Sequence, residues 1–382
     1  MAKVTYITSE SVSSGHPDKI CDQISDAVLD ELLTQDPNSR VAVETVAKNA
    51  LVLCAGEVRT KGYADVQRIA RDVLKDIGYT DPSFGISSED ATVLTAINEQ
   101  SADIAQGVDG KELGAGDQGM MYGFACTETP ELMPFPIMTA HKLIRRLELV
   151  RKEKRITGLG PDAKSQVSVR YVDGKVDAIT AVVVSQQHTE DVELDDLREQ
   201  LKTQVIEPVC KDYLADDATL HINPTGRFVI GGPKGDAGLT GRKIVVDTYG
   251  GVGRVGGGAF SGKDPSKVDR SGAYAARWIA KNVVAAEFAT RCEVQLSYSI
   301  GVAEPTSLNI DTFGTATVDE QQLARAVTEV FDLTPQGIIR DLDLLKPVYR
   351  KVASGGHFGR EDVSWEQTNK VLALKEALNK EN

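Results

Sequence analysis

The stretch Arg40-Val-Ala-Val-Glu-Thr-Val-Ala-Lys-Asn-Ala-Leu-Val-Leu-Cys-Ala-Gly-Glu-Val58 alternates or runs apolar on both sides of a Lys48-Asn49 turn. That pattern predicts a β-hairpin. With the turn centred on Asn49-Ala50, Glu44 and Glu57 fall on the same side of the sheet. A carboxylate in an otherwise apolar strand needs a cation or donor partner, unless it is an edge residue facing solvent. Around this hairpin the spacing predicts a strand over 4–8, a helix over 17–35 with Ile20, Ile24, Ala27, Val28 and Leu32 on one face, a helix over 66–77 and a strand over 92–97. A second hairpin is predicted from 165–171 and 176–184 around Asp173-Gly174, between helices over 136–155 and 192–209, with a strand at 219–222. Further on come a strand at 244–247, a helix over 273–288, a strand over 293–302 and helices over 318–330 and 335–345, before a polar tail with aromatics at Tyr349, Phe358 and Trp365. Hairpins in place of long crossovers favour α+β domains, mixed sheets with helices on one face, over a doubly wound parallel sheet. A chain of 382 residues is long enough for two or three such domains.

The loops carry the chemistry. Gly256 to Arg270 reads Gly-Gly-Gly-Ala-Phe-Ser-Gly-Lys-Asp-Pro-Ser-Lys-Val-Asp-Arg. Glycine lets backbone N–H groups approach a ligand, and the lysines add charge where a polyphosphate would lie. Gly257 to Lys263 has P-loop spacing, but Asp264 stands where a Mg-binding Ser or Thr belongs and Pro265 follows. The G-x-G-x-x-G at Gly251 runs into more glycine instead of a helix, which disfavours a dinucleotide fingerprint. A plain flexible loop remains the competing reading. A second dense loop region, 223–243, holds Gly231-Gly232-Pro233-Lys234-Gly235-Asp236 and Gly241-Arg242-Lys243. The polar, Gly-rich stretch 100–119 reads as a mobile lid or as a linker. In Gly15-His16-Pro17-Asp18-Lys19, His16 and Asp18 sit at a helix N-terminus, suited to an anion, or to nothing more than the helix dipole. Asp22, Asp26 and Asp30, four apart, read as a solvated face. Together Lys164, Arg242, Lys243, Lys263 and Lys267 supply cations and Asp18, Asp236 and Asp269 hard-metal candidates, a set suited to a triphosphate bridged by Mg2+. Ser-His-Asp, Cys-His and zinc spacings are absent, so chemistry through a protein nucleophile is disfavoured.

A formal charge of −13 argues against a general role on nucleic acid or anionic membranes. The five cysteines, Cys21, Cys54, Cys126, Cys210 and Cys292, are far apart and read as reduced thiols. With no leader pattern and no apolar run of membrane-spanning length, a soluble, cytoplasmic protein is expected.

The chain resembles the S-adenosylmethionine synthetases, or methionine adenosyltransferases. The matching stretches are Gly15-His16-Pro17-Asp18-Lys19, Gly114-Ala115-Gly116-Asp117-Gln118-Gly119, Asp162-Ala163-Lys164-Ser165-Gln166-Val167, Gly231-Gly232-Pro233 and Gly256-Gly257-Gly258-Ala259-Phe260-Ser261-Gly262-Lys263-Asp264. The resemblance implies three similar α+β domains, over 1–101, 113–230 and 231–370, with a mobile active-site loop over 100–117. It implies attack of the methionine sulfur on C5′ of ATP, followed by cleavage of the triphosphate to pyrophosphate and phosphate. It places His16 at the leaving triphosphate, Asp18 and Asp269 on Mg2+ (two ions per site) and Glu44 near K+. Glu57, Gln100, Asp236 and Lys267 would meet methionine, Asp236 touching the nucleoside as well and Lys267 lying near the phosphate end too. Lys164, Arg242, Lys243 and Lys263 would hold phosphates. Phe228, beside Arg227, would stack on adenine, with Asp117, Asp162 and Ala259 completing the ATP site. A homodimer or homotetramer with active sites between subunits is implied as well. The sequence departs from the family between Gln100 and Gly119, where the segment is slightly short and reads Gly110-Lys111-Glu112; this bears on lid kinetics and product inhibition. A P-loop-like phosphotransferase and a non-catalytic nucleotide-binding subunit are the alternatives from other classes.

Overall fold

The computed structural model describes residues 2–100 and 113–380. Strand β1 (Val4–Val12) leads into helix α1 (Pro17–Gln35), hairpin β2 (Arg40–Lys48) and β3 (Leu51–Arg59), helix α2 (Val66–Ile77) and strand β4 (Thr92–Glu99). The order then repeats: β5 (Gly119–Cys126), α3 (Phe135–Lys152), β6 (Leu159–Val172), β7 (Lys175–His188), α4 (Leu194–Leu201) and β8 (Leu214–Ile222). A third round runs through β9 (Gly238–Leu239), α5 (Val268–Ala285), β10 (Arg291–Tyr298), β11 (Ser307–Asp311) and α6 (Glu320–Val330), then α7 (Pro335–Asp341) and α8 (Val371–Lys380). In the first two rounds the last strand lies parallel to the hairpin, β4 on β3 and β8 on β7, so the sheets are mixed.

The first strand of each round joins the sheet of another round. β1 pairs antiparallel with β6, β5 with β10, and β9 with β2, giving the sheets β1-β6-β7-β8, β11-β10-β5 and β4-β3-β2-β9. The helix after each strand packs on a sheet: α1 on β2, α3 on β6 and β1, α5 on β5 and β10. α1 and α5 are buried almost all round. In α5 the small residues Gly272, Ala273, Ala275, Ala276 and Ala280 let β5 close in, and a Cβ on Gly123 would sit 2.0 Å from the Ala276 carbonyl carbon. One apolar cluster joins the first and third rounds through α1 and α5, and a second lies between α3, α4 and β6–β8.

Helix α1 starts where Pro17 at N1 pre-sets φ, and the His16 side chain accepts the Asp18 N–H. α2 is held by the Asp65 cap and ends on Gly78 at φ 112°. The hairpin turn puts Ala42 opposite Glu57 and Glu44 opposite Ala55, so Glu44 and Glu57 do share a face.

Three expectations are corrected. Residues Ile244–Asp247 form one helical turn, not a strand. Their β-branched residues find no strand to pair with, and the turn carries Asp247 inward to the Lys19 ammonium. Asp22, Asp26 and Asp30 are not a solvated face. Asp22 and Asp26 are completely buried, Asp22 on Lys19 at 2.8 Å and Asp26 in a two-pronged pair with Arg270 at 2.6 and 2.8 Å. Asp30 accepts the Tyr349 and Arg350 N–H groups. Nor is the tail merely polar: Tyr349, Phe358 and Trp365 are core residues, and α8 packs on α6 and α5.

Candidate active site

The expected residues gather in two places. The first is the α1 N-terminus. His16 is 1% exposed, and its Nδ1 accepts the Asp18 N–H at 3.1 Å. Asp18 accepts from Lys243 Nζ at 2.5 Å and from the Leu239 N–H at 3.0 Å, with Arg242 at 4.0 Å. These partners arrive because β9 pairs with β2 directly beside α1; a Cβ on Gly238 would lie 2.2 Å from the Pro17 carbonyl oxygen. Lys164 stands exposed on β6, opposite Val12 of β1. Asp162 accepts the Gly232 N–H at 2.8 Å through Oδ2, while its buried Oδ1 has no partner. Asp236 is exposed and accepts the Ala237 N–H. Phe228 is half-buried, its N–H on His188.

Burial, then the charges of Lys243 and Lys164, push His16 down to about 3, so its imidazole is neutral at physiological pH. Because Nδ1 accepts, the ring proton sits on Nε2. Burial pushes the Asp18 carboxyl upward, but the Lys243 and Leu239 hydrogen bonds and the neighbouring charges outweigh it and hold Asp18 below its usual range. Burial raises Asp162 to about 6 against the Gly232 hydrogen bond and Lys164.

The second place is the outer face of the β2–β3 hairpin. The Gly-rich loop crosses it: the Val43 N–H reaches the Gly262 carbonyl, and the Asp264 N–H reaches that of Val41. A cavity of about 800 Å³ is lined by Glu44, Glu57, Ala259, Lys263 and Asp269, among others. Beside it a smaller hollow of about 280 Å³ adds Gln100, Asp117 and Lys267. Lys263 pairs with Asp269 at 2.6 Å, and Lys267 with Asp264 at 2.5 Å. α5 begins only at Val268 and no helix opens at Gly256, so neither the P-loop nor the dinucleotide fingerprint is formed. Among the described residues no group of three or more metal-binding side chains occurs.

Arg227 belongs to neither place: it is exposed and pairs with Glu190 at 2.5 Å. Of the expected lid, residues 101–112 lie outside the described residues. Sequence reasoning missed Tyr79, which is fully buried and whose hydroxyl donates to the Gly15 carbonyl at 2.7 Å. A Cβ on Gly232 would meet that same hydroxyl at 2.3 Å, so Tyr79 wedges between the loop of His16 and the loop of Asp236. A Tyr just past a helix-ending glycine gives no signal of this. Thr240, Ser261 and Gln118, which line the larger cavity, were also missed. The described cysteines are free and buried, and no described helix is long and apolar enough to cross a membrane.

Family models for the N-terminal, central and C-terminal domains of S-adenosylmethionine synthetase match residues 4–102, 112–228 and 230–367. The chain is 58% identical to the S-adenosylmethionine synthase of Treponema denticola, over 98% of this chain and 99% of that protein. It is 56% identical to the S-adenosylmethionine synthase of Sulfurovum sp., over 99% of this chain and all of that protein. With three domain models end to end and relatives matched over nearly their full length, the chain belongs to the S-adenosylmethionine synthetase family, a family of methionine adenosyltransferases.

Proposed function

We propose that the chain makes S-adenosylmethionine from ATP and L-methionine, by attack of the methionine sulfur on C5′, and then cleaves the released triphosphate to pyrophosphate and phosphate. The observation that carries this reading is His16: a buried, neutral imidazole with its proton on Nε2, among Lys164, Arg242 and Lys243. A thioether needs no base, so the barrier falls through alignment of sulfur with C5′ and through donors at the oxygen that leaves. Nε2–H of His16 supplies such a donor, and the neighbouring cations hold the departing phosphates. Mg2+ lowers the charge of the triphosphate when bound. A single carboxylate from each place, Asp18 and Asp269, fits an ion that completes its shell with water and phosphate oxygens. Glu44 is the candidate for K+. Glu57, Gln100, Asp236 and Lys267 are assigned to methionine, and Asp117, Asp162, Phe228 and Ala259 to the nucleoside. Reduced, buried thiols accord with work in the cytoplasm.

The two places complement each other, cations and His16 in one, Glu57 and the Lys263–Asp269 pair in the other. We read them as halves of a site shared between two copies, in a homodimer or homotetramer. Purified protein with ATP, Mg2+ and K+, with and without methionine, tests the reaction by product mass. Methionine-dependent S-adenosylmethionine with pyrophosphate and phosphate is expected; ADP, or turnover indifferent to methionine, refutes it. For the shared site, Lys243→Ala and Lys263→Ala chains are unfolded together and refolded as a mixture. Random pairing restores about a quarter of wild-type activity if each site takes one half from each chain of a two-fold dimer. No recovery above either variant alone refutes sharing.

A further inference from the structure

Away from both places, a cleft of about 620 Å³ opens where α1, α2, α3 and the 350–360 segment meet. Arg145, Lys152, Arg350, Lys351 and Arg360 line it, against Asp30, Asp76 and Glu148. Asp362, at its edge, pairs with Lys351 at 3.1 Å and with Arg360 at 3.6 Å, so cations still outnumber carboxylates there, in a chain of formal charge −13. The carboxylates are already engaged. Asp30 accepts the Tyr349 and Arg350 N–H groups at 3.0 and 2.9 Å, Asp76 the Arg350 guanidinium at 2.7 Å, and Glu148 the Ser14 N–H at 2.7 Å. The cations on α3 are not. Arg145 makes one long bond, 3.4 Å to the Gly355 carbonyl, and Lys152 has no acceptor among the described residues. Arg145, Glu148 and Lys152 recur at helical spacing, so the two cations share the face that borders the cleft. Arg360 donates to the carbonyls of Lys351, Ser354 and Gly356, and burial, with Arg145 close by, holds it below the usual arginine range against the opposing pull of Asp362.

We propose that this cleft binds a small phosphate-bearing dianion. Arg350, Lys351 and Arg360 each have a carboxylate partner, whereas Arg145 and Lys152 have none among the described residues; a monocarboxylate would answer one of these two charges, and a phosphate answers both. A free lysine and a nearly free guanidinium fork offer donors of the kind that grip phosphate oxygens. The cleft is larger than one phosphate needs, so inorganic phosphate and a phosphomonoester share the chemistry. Its wall includes Ser14 and Gln23, and Gln23 donates to the Ser14 carbonyl, two residues before His16.

The cleft lies apart from the candidate active site; Lys243→Ala and Lys263→Ala weaken that site for phosphate, and the α3 substitutions identify the binding that belongs to the cleft. Titration calorimetry at constant ionic strength uses the full chain carrying Lys243→Ala and Lys263→Ala, with inorganic phosphate in one arm and glycerol 3-phosphate in the other. Binding is expected in at least one arm, and which arm binds more tightly identifies the source. Adding Arg145→Gln and Lys152→Gln is expected to weaken it by about tenfold or more, the loss of two charge-assisted contacts. Both side chains are exposed, so the urea midpoint should not move. Lys152→Gln alone, which breaks no contact within the fold, should weaken binding as well, and Lys152→Arg should restore it. Absence of binding in both arms, or binding that ignores the α3 substitutions, overturns the proposal.

Discussion

Lowering the pH should erode the stability that buried, neutral His141 gives this fold. His141 lies fully buried on α3; its Nδ1 is 2.8 Å from Ser11 Oγ, and its Nε2 has no partner. Burial first, then the charges of Arg145, Arg360 and Lys19, push it from 6.5 down to about 3. The folded chain therefore refuses a proton that the unfolded chain accepts below pH 6.5. Stability from this group is full above 6.5 and is lost as pH falls toward 3. Each pH unit in that window is worth about 1.4 kcal/mol, so the loss is about 1.4 kcal/mol at pH 5.5 and about 2.7 at pH 4.5. Other groups titrate here too: burial raises Asp30 and Asp162 to about 6 and Asp247 to about 7, which stabilises the fold as pH falls. A wild-type pH scan thus mixes opposing slopes, and the difference against His141→Asn isolates one residue. At pH 7.5 the variant should be weaker by about 1–3 kcal/mol, from lost packing and a lost hydrogen bond. By pH 5.5 the urea-derived gap should narrow by about 1.4 kcal/mol. A gap that stays constant or widens would mean the folded protein protonates His141, and the reasoning fails.

Tyr79→Phe should cost about 1–2 kcal/mol, because the buried Gly15 carbonyl loses its donor; kcat should fall with little change in KM for ATP, and an unaltered kcat would deny Tyr79 a positioning role. Arg270→Met leaves the buried Asp26 charge with only the Gly262 N–H at 2.8 Å and should destabilise by about 3–5 kcal/mol in urea, whereas Asp26→Leu with Arg270→Met, which removes the buried charge but orphans that N–H, should recover part of the loss. A double variant no better than the single one would contradict this. Lys263→Ala should abolish most turnover while the melting temperature stays close to wild type, since its ammonium is partly exposed; an unfolded variant or full activity sinks the assignment. Glu44→Ala should weaken activation by K+, and an unchanged K+ response would refute its placement.

Helix positions read well wherever apolar spacing was clean: α1 and α2 lie where that spacing put them, α1 opening on Pro17 and α2 held between the Asp65 cap and Gly78. The same spacing misjudged the aspartates of α1. Periodicity marks one face as apolar but does not reveal that Lys19 and Arg270 come to bury the other. The residues 244–247 mislead because strand propensity carries no record of whether a partner strand exists. Most candidate site residues were legible as cationic and glycine-rich loops. That they separate into two places was not, since the separation follows from strand β9 docking on β2, a pairing of two residues. Arg227 read as part of the ATP loop but turns to Glu190, a contact set by side-chain reach.

The exchange of leading strands sets a constraint on synthesis. When β1 leaves the ribosome its partner Lys164 has yet to be made, and at ~5–20 residues per second β1 waits roughly 10–30 s for β6. β2 waits longer for β9, and β5 for β10. Until then each nascent sheet shows an unpaired edge of backbone donors and acceptors. Closure has to run toward the C-terminus in three steps, β1 on β6, then β2 on β9, then β5 on β10, so a chain released early at either internal domain boundary would carry an open edge with no later residue to cover it.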